Sequence, residues 1–148
     1  MVQVQNAPVV IIGKQYVEKV EPLIAAARTS IDIIMYHWQM RPSLQQDPVS
    51  VLMRALQAAQ SRGVRVRCVV GSATQCEQLK QYQLPSKQHF GDKLVHAKML
   101  LIDNCTAIVG SHNLTKMGLT KNLEVSLAVT FDSVDNELVA YFQNLWGV

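Results

Sequence analysis

The apolar residues of this chain fall into short runs broken by glycine, proline and polar clusters, and several stretches between the runs repeat apolar positions every three or four residues. Short runs predict buried strands; the spaced repeats predict amphipathic helices. Residues 9–12 form the first run, ending at Gly13. Tyr16, Val17, Val20, Ile24 and Ala27 follow at helical spacing, with Pro22 either kinking that helix or marking its true first turn. Residues 31–36 are apolar almost throughout after Asp32, which predicts a central strand covered on both faces.

Asp47 as N-cap, Pro48 at the first helical position and Gly63 as the stop frame a second helix, with Val49, Leu52, Leu56 and Ala59 on its buried side. Residues 64–70 then predict a strand. Strand, helix, strand in this order implies a parallel pair with a crossover helix. Arg65 and Arg67 alternate with Val64, Val66 and Cys68, so one face of that strand is polar or ion-paired. Residues 74–83 predict a short helix burying Cys76 and Leu79, and residues 84–93, with Pro85 and Gly91, predict a loop. Lys87 and His89 lie in that loop, and loops placed by a rigid sheet often touch ligands, although an exposed and inert loop is the default reading.

Residues 94–102 and 106–111 predict two buried strands joined by a two-residue turn, Asp103-Asn104, whose residue types both tolerate positive φ. That turn sets Leu94 opposite Asn113, His96 opposite Ser111, and Lys98 opposite Val109. His96 and Lys98 then share a face, roughly 6 to 7 Å apart along the strand. Four polar groups converge at the open end of the hairpin, and a slip of one residue would undo the convergence. His112 points to the opposite face and reads as structural.

Residues 123–129 predict a further strand, on which Ser126 shares a face with Glu124 and could support it. Ser133 is expected to cap a final helix that packs back through Val134, Leu138, Tyr141, Phe142 and Leu145. The element order implies an α/β fold: a mixed sheet, parallel early and antiparallel around the hairpin, flanked by helices on both faces.

A length of 148 residues, 49% of them hydrophobic, predicts one compact domain over residues 1–148. No run approaches the ~18 apolar residues of a membrane-spanning helix, and no amphipathic basic helix announces a membrane surface, so no stable membrane association is expected. The N-terminal residues lack a charged and apolar leader pattern, and three cysteines, Cys68, Cys76 and Cys105, are an odd number that favours a reducing compartment. A cytoplasmic location is the corresponding expectation. The net charge of +3 permits a polyanionic partner without predicting one.

The polar cluster suits an anionic tetrahedral ligand such as a phosphodiester. Lys98 brings positive charge, Ser111 and Asn113 bring hydrogen-bond donors, and the His96 imidazole can attack or carry a proton near neutral pH. There is no His-x3-His, no Cys-x2-Cys and no carboxylate cluster nearby, so neither metal nor cofactor is expected.

The run His96-x-Lys98-x4-Asp103-x6-Gly110-Ser111-x-Asn113 resembles the HKD signature of the phospholipase D superfamily at its full spacing, with Glu124 where these proteins often carry a downstream acid. The likeness extends more loosely over most of the chain and is greatest to the short, single-motif bacterial endonucleases of the Nuc type. It implies a metal-independent phosphodiesterase, foremost an endonuclease on DNA or RNA, in which one motif histidine forms a phosphohistidine and a second acts as acid and base. One motif per chain then implies a homodimer with a shared site.

Carried onto this sequence, the resemblance makes His96 the nucleophile or the acid/base, and Lys98 the charge that stabilises the phosphate oxygens. Ser111 and Asn113 hold those oxygens, and Glu124 accepts a hydrogen bond from His96. Asp103 and Gly110 are read as structural members of the motif, Asp103 satisfying amides of its own turn. In the resembling family the strand ending near residue 36 lies beside the site, which would set His37 and Trp38 against substrate; a packed aromatic cluster is the other reading. Lys93, Lys98, Lys116 and Lys121 could form a basic rim for phosphate backbones, or be ordinary surface charge. Two alternatives remain open: lipid phosphodiester chemistry, which the same residues could run, and a non-catalytic nucleic-acid-binding module.

Overall fold

The computed structural model describes residues 6–40, 46–132 and 136–147. A central run of hydrophobic strands organises everything else. β1 (Val9–Ile12) leads into α1 (Gln15–Ala25), then β2 (Ser30–Met35), α2 (Pro48–Ser61), β3 (Arg65–Val70) and α3 (Ala73–Gln81). The second half supplies β4 (Ser86–Gln88), β5 (Met99–Ile102), β6 (Thr106–Gly110), α4 (Lys116–Thr120), β7 (Val125–Thr130) and α5 (Glu137–Trp146).

The seven strands form one sheet in the order β1-β7-β6-β5-β2-β3-β4. β2 and β3 are parallel, as are β3 and β4, and the other pairs are antiparallel. The fold is therefore the expected α/β arrangement with a mixed sheet. All six residues of β2 are buried, because helices cover it on both sides. Alternation sends Ile31, Ile33 and Met35 into a core with α1, α2 and α3, and Ile34 into a second core with Phe142 of α5.

On the α5 side of β2 lies Asp32, 1% exposed, where a lone carboxylate would be costly. Arg67 meets it in a two-pronged pair, Nε to Oδ1 at 2.8 Å and Nη2 to Oδ2 at 2.9 Å. The guanidinium also lies over the rings of Phe142 and Trp146, at 5.0 and 5.4 Å. The arginine stripe of β3 is thus an ion-paired face that docks α5.

α2 has the frame its sequence suggests: Asp47 caps it through the amides of Val49 and Ser50, and Gly63 beyond its end has φ of +97°. Other elements differ from the sequence reading. Pro22 lies in the second half of α1 on its exposed side, not at the first turn. The stretch read as a loop over residues 84–93 contains β4, which pairs with β3 as the edge of the sheet. The connection after β6 contains the short helix α4, capped by Thr115. α5 is capped by Asn136, whose Oδ1 accepts from the amides of Leu138 and Val139; the proposed Ser133 and Val134 lie outside the described residues.

The hairpin register also differs. Met99 pairs with Val109, Leu100 with Ile108, Leu101 with Ala107 and Ile102 with Thr106, one residue out of the expected pairing. Asp103 and Asn104 do take positive φ, +53° and +56°, and the Cys105 amide bonds the Ile102 carbonyl to close the turn. Cys105 is then an additional residue before the ladder begins, its carbonyl accepting from Phe131 of the strand beyond. Moreover β5 begins only at Met99, so residues 94–98 are not strand, and His96 has no Ser111 across a ladder.

Candidate active site

The chain directions place the C-terminal ends of β1, β2, β3, β4 and β6 at the same edge of the sheet as the N-terminal ends of β5 and β7. That edge gathers residues far apart in sequence: Gly13, Tyr36, His37, His96, Lys98, Ser111, Asn113 and Glu124. In open α/β sheets such strand ends are where ligands sit. The lost ladder register therefore does not scatter the polar groups, because they sit at strand ends along the same edge.

His96 is exposed. Lys98 Nζ lies 3.2 Å from both nitrogens of its ring and 5.1 Å from the ring centre of Tyr36. The Tyr36 ring in turn lies 4.7 Å from that of His96 and 3.9 Å from that of His37. Burial lowers the Lys98 ammonium from its ordinary pKa, and the Glu124 carboxylate opposes that shift.

Asn113 is fixed by the other side of this cluster. Its Oδ1 accepts from the His37 amide at 3.1 Å. The flanking backbone is tied down as well, by Leu114 N–H to His37 C=O at 3.0 Å and Gln39 N–H to Leu114 C=O at 2.9 Å. With its oxygen so used, the side-chain amide N–H groups of Asn113 are left to donate elsewhere. The Ser111 hydroxyl accepts from Val125 N–H at 3.0 Å and lies 3.3 Å from the Val125 carbonyl, so it extends the β6–β7 pairing past Gly110.

Gly110 is a glycine for steric reasons. A Cβ there would run into Ser126 and the Val125 carbonyl, so β6 and β7 can approach this closely only without a side chain. Asp103 stands at the opposite edge of the sheet. The amides it satisfies are those of Arg28, Thr29 and Ser30, at 2.8 to 3.1 Å, together with the Thr29 hydroxyl at 3.0 Å, rather than those of its own turn. Burial by itself would raise its carboxyl, but these donors outweigh it and leave the group below the usual carboxylate range.

His112 is 1% exposed. Its Nε2 lies 2.8 Å from the Gly13 carbonyl, which can only accept, so that nitrogen carries the proton and Nδ1, 2.7 Å from Ser126 Oγ, accepts. Burial lowers its pKa and favours this neutral form. Ser126 is thereby committed to His112 instead of Glu124. The Glu124 side chain makes no hydrogen bond to His96 among the described residues; its electrostatic influence falls on Lys98 and His112.

Trp38 does not line the site. It is 1% exposed and packs in the core with α2, whereas His37 is exposed at the sheet edge. Tyr36 is the residue that sequence reasoning passed over. Its signal was its position: it is the first residue after a fully buried strand, where an aromatic ring can lean over the strand end.

Beside His96 opens a groove of about 290 Å³, floored by Ile34, Val95, Ala97 and Leu145, with Tyr141 and Lys93 exposed at its mouth. His89, from the stretch after β4, also lines it. Lys87 is instead turned to α5, bonding the Trp146 carbonyl at 2.9 Å. Among the described residues no group of three or more His, Cys, Asp or Glu side chains is arranged to hold a metal ion, and no helix is long and apolar enough to cross a membrane.

Residues 20–146 match the family model described as cardiolipin synthase, phospholipase D-like domain. The chain belongs to this phospholipase D-like family. Nuc from Salmonella typhimurium, a phospholipase D family member of solved structure, is 25% identical with a TM-score of 0.75, and the match covers 94% of both chains. NucT from Helicobacter pylori has 20% identity and a TM-score of 0.69, again with 94% of both chains covered. Phosphatidylserine synthase from Haemophilus influenzae has 15% identity and a TM-score of 0.70, covering 94% of this chain and 38% of that one. Among curated protein sequences none matches. The chain is thus of the Nuc type within the phospholipase D superfamily; His96, Lys98, Ser111 and Asn113 stand at the sheet edge just described, and Asp103 at the opposite one.

Proposed function

We propose that this phospholipase D-like chain is a metal-independent phosphodiesterase that cleaves DNA or RNA. The observation that carries the reading is the contact of Lys98 with an exposed His96 at a strand end, backed by the fixed Asn113 amide. A ring nitrogen of His96 attacks phosphorus and the bond from phosphorus to the leaving oxygen breaks. The leaving oxygen takes its proton from the His96 of a second copy. Water then attacks, giving a proton back to that second imidazole, and the phosphorus–nitrogen bond breaks. Lys98 and the Asn113 N–H groups stabilise the charge on the phosphate oxygens throughout.

The need for a second histidine makes the homodimer part of the proposal. A surface suited to it runs up to the site. Val10 faces Leu127 and Ile12 faces Val125 across β1 and β7, and all four are between 38% and 56% exposed. They lie on the α5 side of the sheet, and such an exposed apolar patch marks an interaction surface. Ile12 and Val125 are at the end that carries Glu124 and Ser111, so a second copy seated here brings its own motif toward the first.

The test is nicking of plasmid DNA in EDTA by the intact protein, its His96→Ala variant and a Leu127→Glu variant, with solution mass measured for each. Expected are nicking by an intact dimer, no nicking by His96→Ala, and a folded but inactive monomer for Leu127→Glu. Activity retained in a monomer would overturn the shared site. Hydrolysis of a short-chain phospholipid without nicking would overturn the substrate assignment.

A further inference from the structure

We infer that the groove beside His96 is a subsite for the nucleoside next to the scissile phosphate, with Tyr141 of α5 stacking on the base. The inference rests on the phosphodiesterase reading and adds to it where the rest of the substrate lies. Three observations carry it. First, His96 itself lines the groove, so whatever occupies it is attached to, or adjoins, the group held at the sheet edge. Secondly, the groove has an apolar lining: Ile34 and Val95 are buried, Ala97 and Leu145 are half-buried, and Tyr141, 51% exposed, offers its ring at the side. Thirdly, exposed Lys93 and half-buried His89 also line the groove, and basic side chains there suit the next phosphate of a polyanionic strand.

Size decides between a nucleoside and a lipid tail. A volume of about 290 Å³ is at the small end for ligand pockets, enough for one base and its sugar. A diacyl tail needs a longer apolar channel, and the charged mouth would be a poor lining for it. Stacking on an exposed ring is tolerant of base identity, so the subsite supplies affinity and placement and little sequence choice.

Binding of thymidine 5′-monophosphate and of inorganic phosphate, measured by calorimetry on the intact protein, tests this without relying on turnover. The nucleotide is expected to bind about tenfold more tightly than phosphate, as one stacking contact provides. Tyr141→Ala should bring the nucleotide down to the level of phosphate and leave phosphate binding unchanged, while Tyr141→Phe should keep the preference. Tyr141 is half exposed, so neither change threatens the core. Equal binding of the two ligands by the intact protein, or an unchanged preference in Tyr141→Ala, would overturn the subsite. So would tighter competition by dihexanoyl phosphatidic acid than by the nucleotide. A preserved nucleotide preference in a protein that nicks nothing would instead count against the hydrolytic reading and leave the subsite standing.

Discussion

The ring of Tyr36 lies 4.7 Å from the ring of His96 and beneath the ammonium of Lys98, so one side chain touches both members of the proposed catalytic pair. An exposed histidine otherwise has several staggered positions open to it, and a nucleophile that wanders loses much of the advantage of being held.

Replacing Tyr36 with leucine should therefore lower kcat by about tenfold while leaving the thermal midpoint within a few degrees, since the ring is only partly buried. Tyr36→Phe keeps the ring contact and should keep the rate. Steady-state kinetics on a nucleoside p-nitrophenyl diester, beside a melting curve, separates the two; equal losses in both variants would point to the hydroxyl instead.

The proposed chemistry uses Lys98 as a cation, and burial lowers its pKa from the lysine value. Its deprotonation should set the alkaline limb of kcat/KM below the ordinary lysine range. Glu124 pulls the other way, so Glu124→Gln should move that limb to still lower pH. A pH–rate profile of the two proteins checks the direction. The charged neighbour Glu124, the His96 ring and the Tyr36 ring all face this ammonium, and a limb that stays put in Glu124→Gln would uncouple the acid from the lysine.

Asp103 should matter to stability without touching the chemistry. Its folded pKa is depressed, so its contribution is present above the unfolded value of about 3.9 and fades as pH falls through the folded value. Asp103→Ala should cost about 1–2 kcal/mol at pH 7, discounted for its partial exposure, and less in acid where the native carboxyl is protonated. Urea unfolding of both proteins at pH 7 and pH 3 reads this out. A gap that widens in acid would contradict it.

Gly110→Ala should be the most damaging small substitution in the signature. The methyl group meets Ser126 and the Val125 carbonyl, so β6 and β7 must part and the Ser126 bond to buried His112 is strained with them. A loss of about 2–4 kcal/mol is expected, visible as a fall of roughly 4–16 °C in the melting temperature.

Much of this architecture was legible in the sequence wherever one residue type has one local role. Asp47, Pro48 and Gly63 each act where their chemistry demands, and α2 is bounded by them. Cys105 shows the limit: nothing in its type says whether it pairs or stands aside, and that choice moved the whole β5–β6 register by one residue. Trp38 and Tyr36 are neighbours with similar composition cues, yet one is sealed in the core and the other leans over the strand end, because burial depends on α2 and the segment after β6 arriving from elsewhere in the chain. Asp103 was legible as a residue that satisfies amides, but its partners lie some 75 positions away, beyond the reach of any local pattern.

The interval between Lys98 and Asp103 is β5 itself, four residues long, or about 13 Å of extended chain. The signature thus works as a caliper, with His96 and Lys98 as one jaw at one rim of the sheet and Asp103 as the anchoring jaw at the other. Every side chain between the jaws is apolar and buried in one core or the other, and an insertion there would turn the interior of the strand inside out and pull the lysine off its mark.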